Sequence, residues 1–598
     1  MAKEYISAAR LKEKLNSTGE SIEILDSLIY DSINIVQSEY NCSSVLFANC
    51  VFENEVLIHG IDLNFGIAFI NCEFKQDLSL IEVKTHGLSE GLDNNSIIID
   101  NCQIKYFLIK NSEVERYIII RNSTIERLFL TSIISSLGGI TIDNTSINSS
   151  IEFQHNRLYA QIRFNECNIL PRMQLLDNNA SSIVFVKNNF KKEILIWGGN
   201  LPTGLTFNEG IYDDEVKIQY INGGDYLTFK GCTFNMNCEV LFYDSDPNNQ
   251  EDKGFPKISI SSSSFENGFN LIGSKNLIEP FYIDELSVQF SNKLKGNIVI
   301  SLLSIRENLM LTGANFNTNL ILIDIYSENV TINDLSNYST IQFINLKTYG
   351  GFESKFSIAE SYLGKSHFFD VDFSSYRSVN IRNSFLSEII TSNVKWFKYQ
   401  NLNKNESFWD IIGIDKNSKE ARQYHLNHFV RDKEIYRQLK VAMEKHSNKM
   451  DELMFHQLEM KLYEQQLKYS KESSYLDQAI LWTNNSNEHG QNWWRPIWLS
   501  IICTTVLYCC IIISASDNYY FSITCDFNKI WSSINFLWSE RGLIPQLFNP
   551  VRNLTTIFKD MNGFTLTTST HVWDLLQRIL ISYFIFQTVS AFRKFNKN

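Results

Sequence analysis

At 598 residues the chain is too long for a single hydrophobic core, and ordinary domain sizes divide it into about two to four modules. A formal charge of −12, with 44% hydrophobic and 20% charged residues, excludes a nucleic-acid footprint spread over the whole surface and leaves room only for a local basic patch. Eleven cysteines raise the question of a disulfide or metal framework, but no CxxC pair occurs and Cys509 and Cys510 lie inside an apolar run.

The first segment, residues 1–20, reads as an N-terminal helix. From Met1 to Leu15 it mixes Lys3, Glu4, Arg10, Lys12, Glu13 and Lys14 with apolar residues and builds no secretory h-region. The body that follows is therefore expected in the cytoplasm, with its thiols reduced.

Residues 21–400 read as a solenoid. A phrase recurs as Asn49-Cys50-Val51-Phe52, Asn71-Cys72-Glu73-Phe74, Asn101-Cys102-Gln103-Ile104, Asn122-Ser123-Thr124-Ile125 and Asn144-Thr145-Ser146-Ile147. It continues as Glu166-Cys167-Asn168-Ile169, Lys187-Asn188-Asn189-Phe190, Asn208-Glu209-Gly210-Ile211, Gly231-Cys232-Thr233-Phe234 and Ser262-Ser263-Ser264-Phe265. The last residues of these phrases step by 22, 30, 21, 22, 22, 21, 21, 23 and 31. Such a period, carried by alternating strands such as Val45/Phe47 and Ile118/Ile120, predicts one coil of a parallel β-helix per repeat. The small second residue of each phrase points into a narrow corner, so Cys50, Cys72, Cys102, Cys167 and Cys232 read as inert core thiols. The long steps place surface insertions near Lys84 to Asn95 and Asp244 to Pro256. Weaker phrases at Ala314-Asn315-Phe316, Glu360-Ser361-Tyr362-Leu363 and Asn383-Ser384-Phe385-Leu386 extend the array to about seventeen coils, a rod on the order of 80 Å.

A step of five within coils, as in Phe47, Phe52 and Leu57 or Ile99, Ile104, Ile109, Val114 and Ile119, resembles the pentapeptide-repeat β-helix family. That resemblance implies a large apolar residue and a small one two positions earlier, both facing inward.

Residues 418–482 change to long charged side chains at helical spacing. Ile435, Leu439 and Ala442, then Leu453, Leu458, Leu462 and Leu467, form apolar stripes on either side of His446-Ser447-Asn448-Lys449, which predicts two helices and a turn. This hairpin either couples the solenoid to the next module or only spaces them.

The run Ile497 to Ala515 carries no charge and would make a helix of about 28 Å, close to the hydrocarbon thickness of a bilayer. Trp493, Trp494 and Arg495 before it suit an interface. The expected first transmembrane helix is 493–516. A second covers 575–598 with its basic tail Arg593, Lys594 and Lys597, and 517–574 forms an extracytoplasmic or pore loop. A cytoplasmic solenoid and two crossings return the C-terminus to the cytoplasm, in line with the positive-inside tendency.

One subunit with two crossings cannot enclose water, so a pore needs several copies. Ser500, Cys503, Thr504, Cys510 and Ser514 fall within an arc of about 120° on the first helix, serving either close packing or a lumen. On the second, Gln577, Arg578, Ser582 and Thr588 share about 140°. Arg578 is either a snorkelling anchor or a charge in the conduction path. The hydroxyl run around Thr567 and Thr568 occupies the place of a potassium-channel filter, but TVGYG is absent. The pore-lining candidates are Ser500, Thr504, Ser514, Thr567, Thr568, Arg578, Ser582 and Thr588. On the solenoid, Lys105, Arg116, Arg121, Arg127, Arg157, Arg163, Lys187, Lys191 and Lys192 are either solvated or a ridge for phosphate groups of a nucleotide or single-stranded DNA oligomer.

Tyr436-Arg437-Gln438-Leu439-Lys440 with its helical pair, Phe548-Asn549-Pro550-Val551 and Tyr583 to Lys594 resemble bacterial membrane proteins that join pentapeptide-like repeats to a two-helix ion-channel domain. The overall layout is similar to Hailong-type anti-phage effector channels. These resemblances imply a homo-oligomer, a tetramer, in the bacterial inner membrane.

Enzyme chemistry finds little footing. A polysaccharide-cleaving β-helix would need secretion and paired carboxylates, whereas Asp213, Asp214 and Glu215 suit a solvated turn. The pairs His425/His428 and His446/His456 lack further ligands at metal spacing, and no Walker loop, nucleophile elbow or GxGxxG occurs. The expectation is a mainly β chain with added helices, without catalytic residues, metal or cofactor. Its expected function is a ligand-gated channel in the membrane lipid; the alternative is a nonconducting scaffold that presents the solenoid to protein partners.

Overall fold

The computed structural model describes residues 4–15, 21–36, 43–86, 95–242, 255–273, 281–348, 353–403, 419–470, 476–477, 481, 483, 485–490, 492–515, 527–539, 541–555 and 566–595. The chain divides into two compact units, Met1–Lys404 and Asn405–Asn598.

The first unit is a parallel β-solenoid of about 16 turns. One coil shows its plan: Gly204–Asn208, Ile211–Tyr212, Val216–Gln219 and Asn222–Gly223 are four short strands on four faces. The first three pair in parallel with their equivalents one coil on, as in Phe207↔Phe229, Tyr212↔Phe234 and Ile218↔Val240, and the fourth with Asn200–Leu201 of the coil before. Alternation sends every second side chain inward, which is why Leu205, Phe207, Val216 and Ile218 are buried and Thr206, Asn208, Lys217 and Gln219 are not. Identical faces stack, so like packs on like: Phe164, Phe185, Phe207 and Phe229 form a column with successive ring centroids 5.3, 5.0 and 5.2 Å apart. A second column, Phe190, Tyr212, Phe234 and Phe265, runs at 5.4, 4.6 and 5.1 Å.

The corners explain the recurring asparagine. Asn49, Asn71, Asn101, Asn122 and Asn144 all have φ between 43° and 59°, the left-handed region that asparagine tolerates better than other non-glycine residues. Their amides also bridge coils: Asn71 Nδ2 donates to Asn49 Oδ1 (3.1 Å), Asn101 Nδ2 to Asn71 Oδ1 (2.7 Å) and Asn144 Nδ2 to Asn122 Oδ1 (2.9 Å). Replacing Asn122 with valine is expected to destabilise the solenoid by about 1–2 kcal/mol, whereas glycine at the same position preserves the corner. Denaturant unfolding followed by circular dichroism measures both; equal effects of the two substitutions would contradict the conformational cause.

Three expectations shift in detail. Ile211 is exposed and Tyr212 takes the inward position, because Glu209 rather than Asn208 occupies the left-handed corner and Gly210 the tight site after it. A Cβ on Gly210 would lie 2.7 Å from the Tyr212 hydroxyl oxygen. Phe316 likewise points outward, 48% exposed. The step of five holds from Ile99 to Val114 but fails at Leu57 and Ile119, which face out between buried neighbours. A coil of 21 or 22 residues, as in Ile97↔Ile118↔Ile140, cannot keep a five-residue step around four faces. The two expected insertions lie largely outside the described residues.

Cys50, Cys72, Cys102, Cys167 and Cys232 are buried, as expected, and Cys238 joins them. The thiols of Cys50, Cys72, Cys102 and Cys167 donate to carbonyls of the preceding coil, as in Cys167 Sγ to Ile142 O at 3.1 Å. Burial pushes the thiols of Cys167 and Cys232 up to about 12, so the nucleophilic thiolate is scarce at neutral pH. Iodoacetamide at pH 8 is expected to leave both unmodified in the folded protein and to label them after unfolding, read by peptide mass spectrometry. Native-state labelling at the rate of a free thiol would contradict the core placement.

The N-terminal segment is not one helix. Glu4–Tyr5 pairs with Ser27 and Leu28 as a strand, and α1, Ala8–Leu15, then buries Leu11 and Leu15.

In the second unit, α2 (Lys419–Lys445) and α3 (Lys449–Tyr469) form the expected hairpin. Asn448 caps α3, its side-chain oxygen accepting from Asp451 N at 3.3 Å. Ile435, Tyr436, Leu439, Ala442 and Met443 are buried on α2, with Leu453, Phe455, Leu462 and Leu467 buried on α3. Leu458 is only half-buried, and Glu459 occupies the buried position beside it. There it accepts from Lys440 Nζ at 2.6 Å. Beyond the hairpin lie α4 (Trp494–Ser514), α5 (Phe527–Ser539), α6 (Ile544–Leu547) and α7 (Thr568–Phe595).

Candidate functional site

Helices α4 and α7 are long and apolar enough to cross a membrane. They pack antiparallel: Trp493, before α4, meets Phe592 near the end of α7 at 5.1 Å between rings, while Ser514 at the end of α4 meets Thr567 and Thr570 at the start of α7. The second span begins earlier than expected, at Thr568 rather than 575, and so takes Asp574 into the helix that already held Gln577 and Arg578.

Asp574, Gln577 and Arg578 form the polar centre of the unit with Arg552, which stands in irregular chain between α6 and α7. Arg552 Nη2 and Nε donate to Asp574 Oδ1 at 2.7 and 3.2 Å, and Nη1 donates to Leu547 O at 2.8 Å. Arg552 also donates to Gln577 Oε1, and Gln577 Nε2 donates to Thr504 O, at the middle of α4, at 3.2 Å. Arg578 pairs with the other carboxylate oxygen of Asp574. Arg552, Asp574 and Gln577 are buried. The connection between the spans therefore sends a guanidinium to within one glutamine of the middle of α4. Non-helical backbone at such depth is tolerated in a membrane only when buried in protein or facing water. An apolar cluster of Tyr508, Ile511, Ile512, Leu537, Leu547 and Leu554 seats α5 and α6 against α4.

The pore-lining candidates separate into two groups. Thr504 is buried, Ser514 Oγ lies 3.3 Å from Thr570 Oγ1, and Thr567 Oγ1 donates to Ser514 O at 2.9 Å, so these three fasten the helix pair. Thr588 Oγ1 donates back to Phe584 O at 2.8 Å. Ser500 is half-buried, while Thr568 and Ser582 are exposed. At 100° per residue the outward surface of α7 is one arc of about 180°, made of two adjoining strips each about 80° wide, with the exposed Thr568 among the residues of the apolar one. Val572, Leu576, Ile579 and Phe586 make an apolar strip; His571, Leu575, Arg578, Ser582, Ile585 and Val589 make the other, which carries the other polar groups.

At the opposite end, chain preceding α4 straps onto α7. Ser486 Oγ lies 2.7 Å from the Tyr583 hydroxyl, which donates to Thr483 O, and Asn487 Nδ2 donates to Gln587 Oε1 at 2.6 Å. Sequence reasoning missed Arg552, Asp574, Tyr583 and Gln587 as functional positions. Polar groups interrupting an apolar helix were the available signal for Asp574 and Gln587.

On the solenoid the nine basic candidates occupy several faces. Arg163 lies on the first face in register with Thr141 and Val184, and Arg121 ends that face, paired with Asp100 at 3.0 Å. Lys187 sits at the following corner, 3.6 Å from Glu166. Lys105, Arg127, Lys191 and Lys192 share the edge between the second and third faces, where Lys191 meets Asp213 at 2.6 Å. Arg116 precedes the first face, its backbone N–H donating to Ser96 Oγ at 3.1 Å. Arg157 lines a groove of about 560 Å³ with His155, Asp177 and Asn179 on the fourth face. The stacked register thus aligns only the edge group, with Lys105 and Arg127 on adjacent coils and Lys191 and Lys192 three coils further on.

Among the described residues no group of three or more His, Cys, Asp or Glu is placed to hold a metal ion. Comparisons with protein-family models, with curated proteins and with solved structures found no match.

Proposed function

We propose that the protein is an oligomeric membrane channel whose second span, α7, lines the conduction path and whose solenoid is the sensing module. The observation that carries this reading is the polar strip of α7: among the described residues His571 and Ser582 are exposed and Arg578 is partly exposed, while the adjoining strip is mainly apolar. A charged residue facing lipid at this depth is costly, so such a strip calls for water or a second copy. Closed symmetry around that strip supplies both at once, and a tetramer in the bacterial inner membrane is the assembly assigned here. The solenoid and the C-terminus are assigned to the cytoplasm. A nucleotide or single-stranded DNA oligomer on the basic edge would gate the pore by binding its open and closed forms unequally.

Recording from purified full-length protein in planar bilayers, with and without nucleotides and DNA oligomers, tests this directly. Currents are expected, and a Ser582→Cys variant is expected to lose them on treatment with a charged methanethiosulfonate that spares the wild type. Silence under every condition sinks the channel reading. One observation favours the nonconducting scaffold: Phe316, Tyr338 and Phe385, exposed at 48%, 63% and 63%, line up with Tyr362 along consecutive coils as a surface for a protein partner.

A further inference from the structure

The polar centre holds two guanidiniums and one carboxylate. Asp574 gives one oxygen to Arg552 and the other to Arg578, so among the described residues the centre carries one positive charge more than negative. Burial decides where that surplus lies. The side chains of Arg552 and Asp574 are 1% and 4% exposed, whereas that of Arg578 is 31% exposed and stands on the polar strip of α7. Neither span supplies a second carboxylate: from Pro496 to Ser514 the first has no ionisable acid or base other than cysteine and tyrosine, and from Thr568 to Phe592 the second has no acid but Asp574. Arg495, just outside, is already matched by Glu488 at 3.0 Å.

We propose that Arg578 is the selectivity-determining residue and that the pore conducts small inorganic anions such as chloride in preference to cations. This rests on the channel reading. Closed symmetry repeats Arg578 once per subunit at a single level, which makes a ring of positive charge. Low-dielectric walls focus its field into the lumen, raising the local concentration of anions and excluding cations. The role of Arg552 is different. It shares the single carboxylate of Asp574 from within the protein, so that carboxylate does not fully neutralise Arg578.

Reversal potentials of the reconstituted full chain under a tenfold KCl gradient test the assignment. Wild-type current is expected to reverse close to the chloride potential, about 59 mV from zero for ideal selectivity of a monovalent ion. Arg578→Lys is expected to keep that sign, Arg578→Gln to lose most of the shift, and Arg578→Glu to invert it. The Arg552–Asp574 pair survives in Arg578→Gln, and unchanged elution of the assembled variant in size-exclusion chromatography checks that it folds. Reversal near the potassium potential in the wild type, or an unmoved potential in Arg578→Gln, overturns the selectivity while leaving a channel. No current in any variant overturns the channel reading and this assignment with it.

Discussion

Asp574→Ala is expected to destabilise the C-terminal unit by about 3–5 kcal/mol, because it leaves the buried Arg552 guanidinium without its counter-charge. In a unit of this size that corresponds to a fall in melting temperature of roughly 10 °C, measurable in detergent by light scattering or intrinsic fluorescence. Arg552→Ala is expected to act in the same direction by exposing the opposite deficit. Replacing both together, as Arg552→Met with Asp574→Leu, is expected to recover most of the loss, since neither charge is then stranded in a dry site. Arg578→Gln removes only the partly exposed partner and is expected to cost far less. An Asp574→Ala protein that melts with the wild type would show that the two spans do not depend on the polar centre.

The second large effect belongs to the solenoid. Phe207 stacks on Phe185 at 5.0 Å and on Phe229 at 5.2 Å, with the edge of Tyr212 against it at 5.6 Å. Truncation to alanine leaves a cavity between three coils and is expected to cost about 3–5 kcal/mol. Because each coil touches mainly its neighbours, the loss should be local, with faster amide exchange concentrated in the coils on either side. Ile211→Ala, on the exposed side of the same coil, is expected to change stability by no more than about 0.5 kcal/mol. Hydrogen exchange on the two variants separates these outcomes, and comparable losses would refute the register in which Tyr212, rather than Ile211, faces inward.

These two sites differ in how far they could be read ahead of the structure. The aromatic columns were legible because a solenoid writes its core as a local alternation repeated at a fixed period. In the early coils the inward residue that closes each phrase is also signalled by the left-handed asparagine and the small corner residue before it. Where that signal degraded, at Asn208-Glu209-Gly210-Ile211, the reading slipped by one residue. With a side-chain period of two, one residue is enough to exchange inside for outside.

The polar centre was not legible in the same way. Gln577 and Arg578 read as interruptions within the apolar stretch from Leu575, and Asp574 as the last residue of the preceding loop. Their partners lie far along the chain, Arg552 across an irregular connection and Thr504 on the other span. No periodicity encodes such pairings. The same holds for the hydroxyls of Ser514 and Thr567, whose spacing allowed either a lumen or a packed interface until the antiparallel helix pair joined them.

The amino-acid sequence by itself determined the parallel solenoid, the buried thiols, the helical hairpin and two apolar spans, because each depends on a repeat or a run of hydropathy within a short window. Only the tertiary structure decided which residue of a degraded phrase enters the core, which hydroxyls fasten the spans, and that Asp574 is shared by two arginines. Those outcomes depend on contacts between distant segments, where the cost of burying a charge or a polar group is set by what the fold places opposite it.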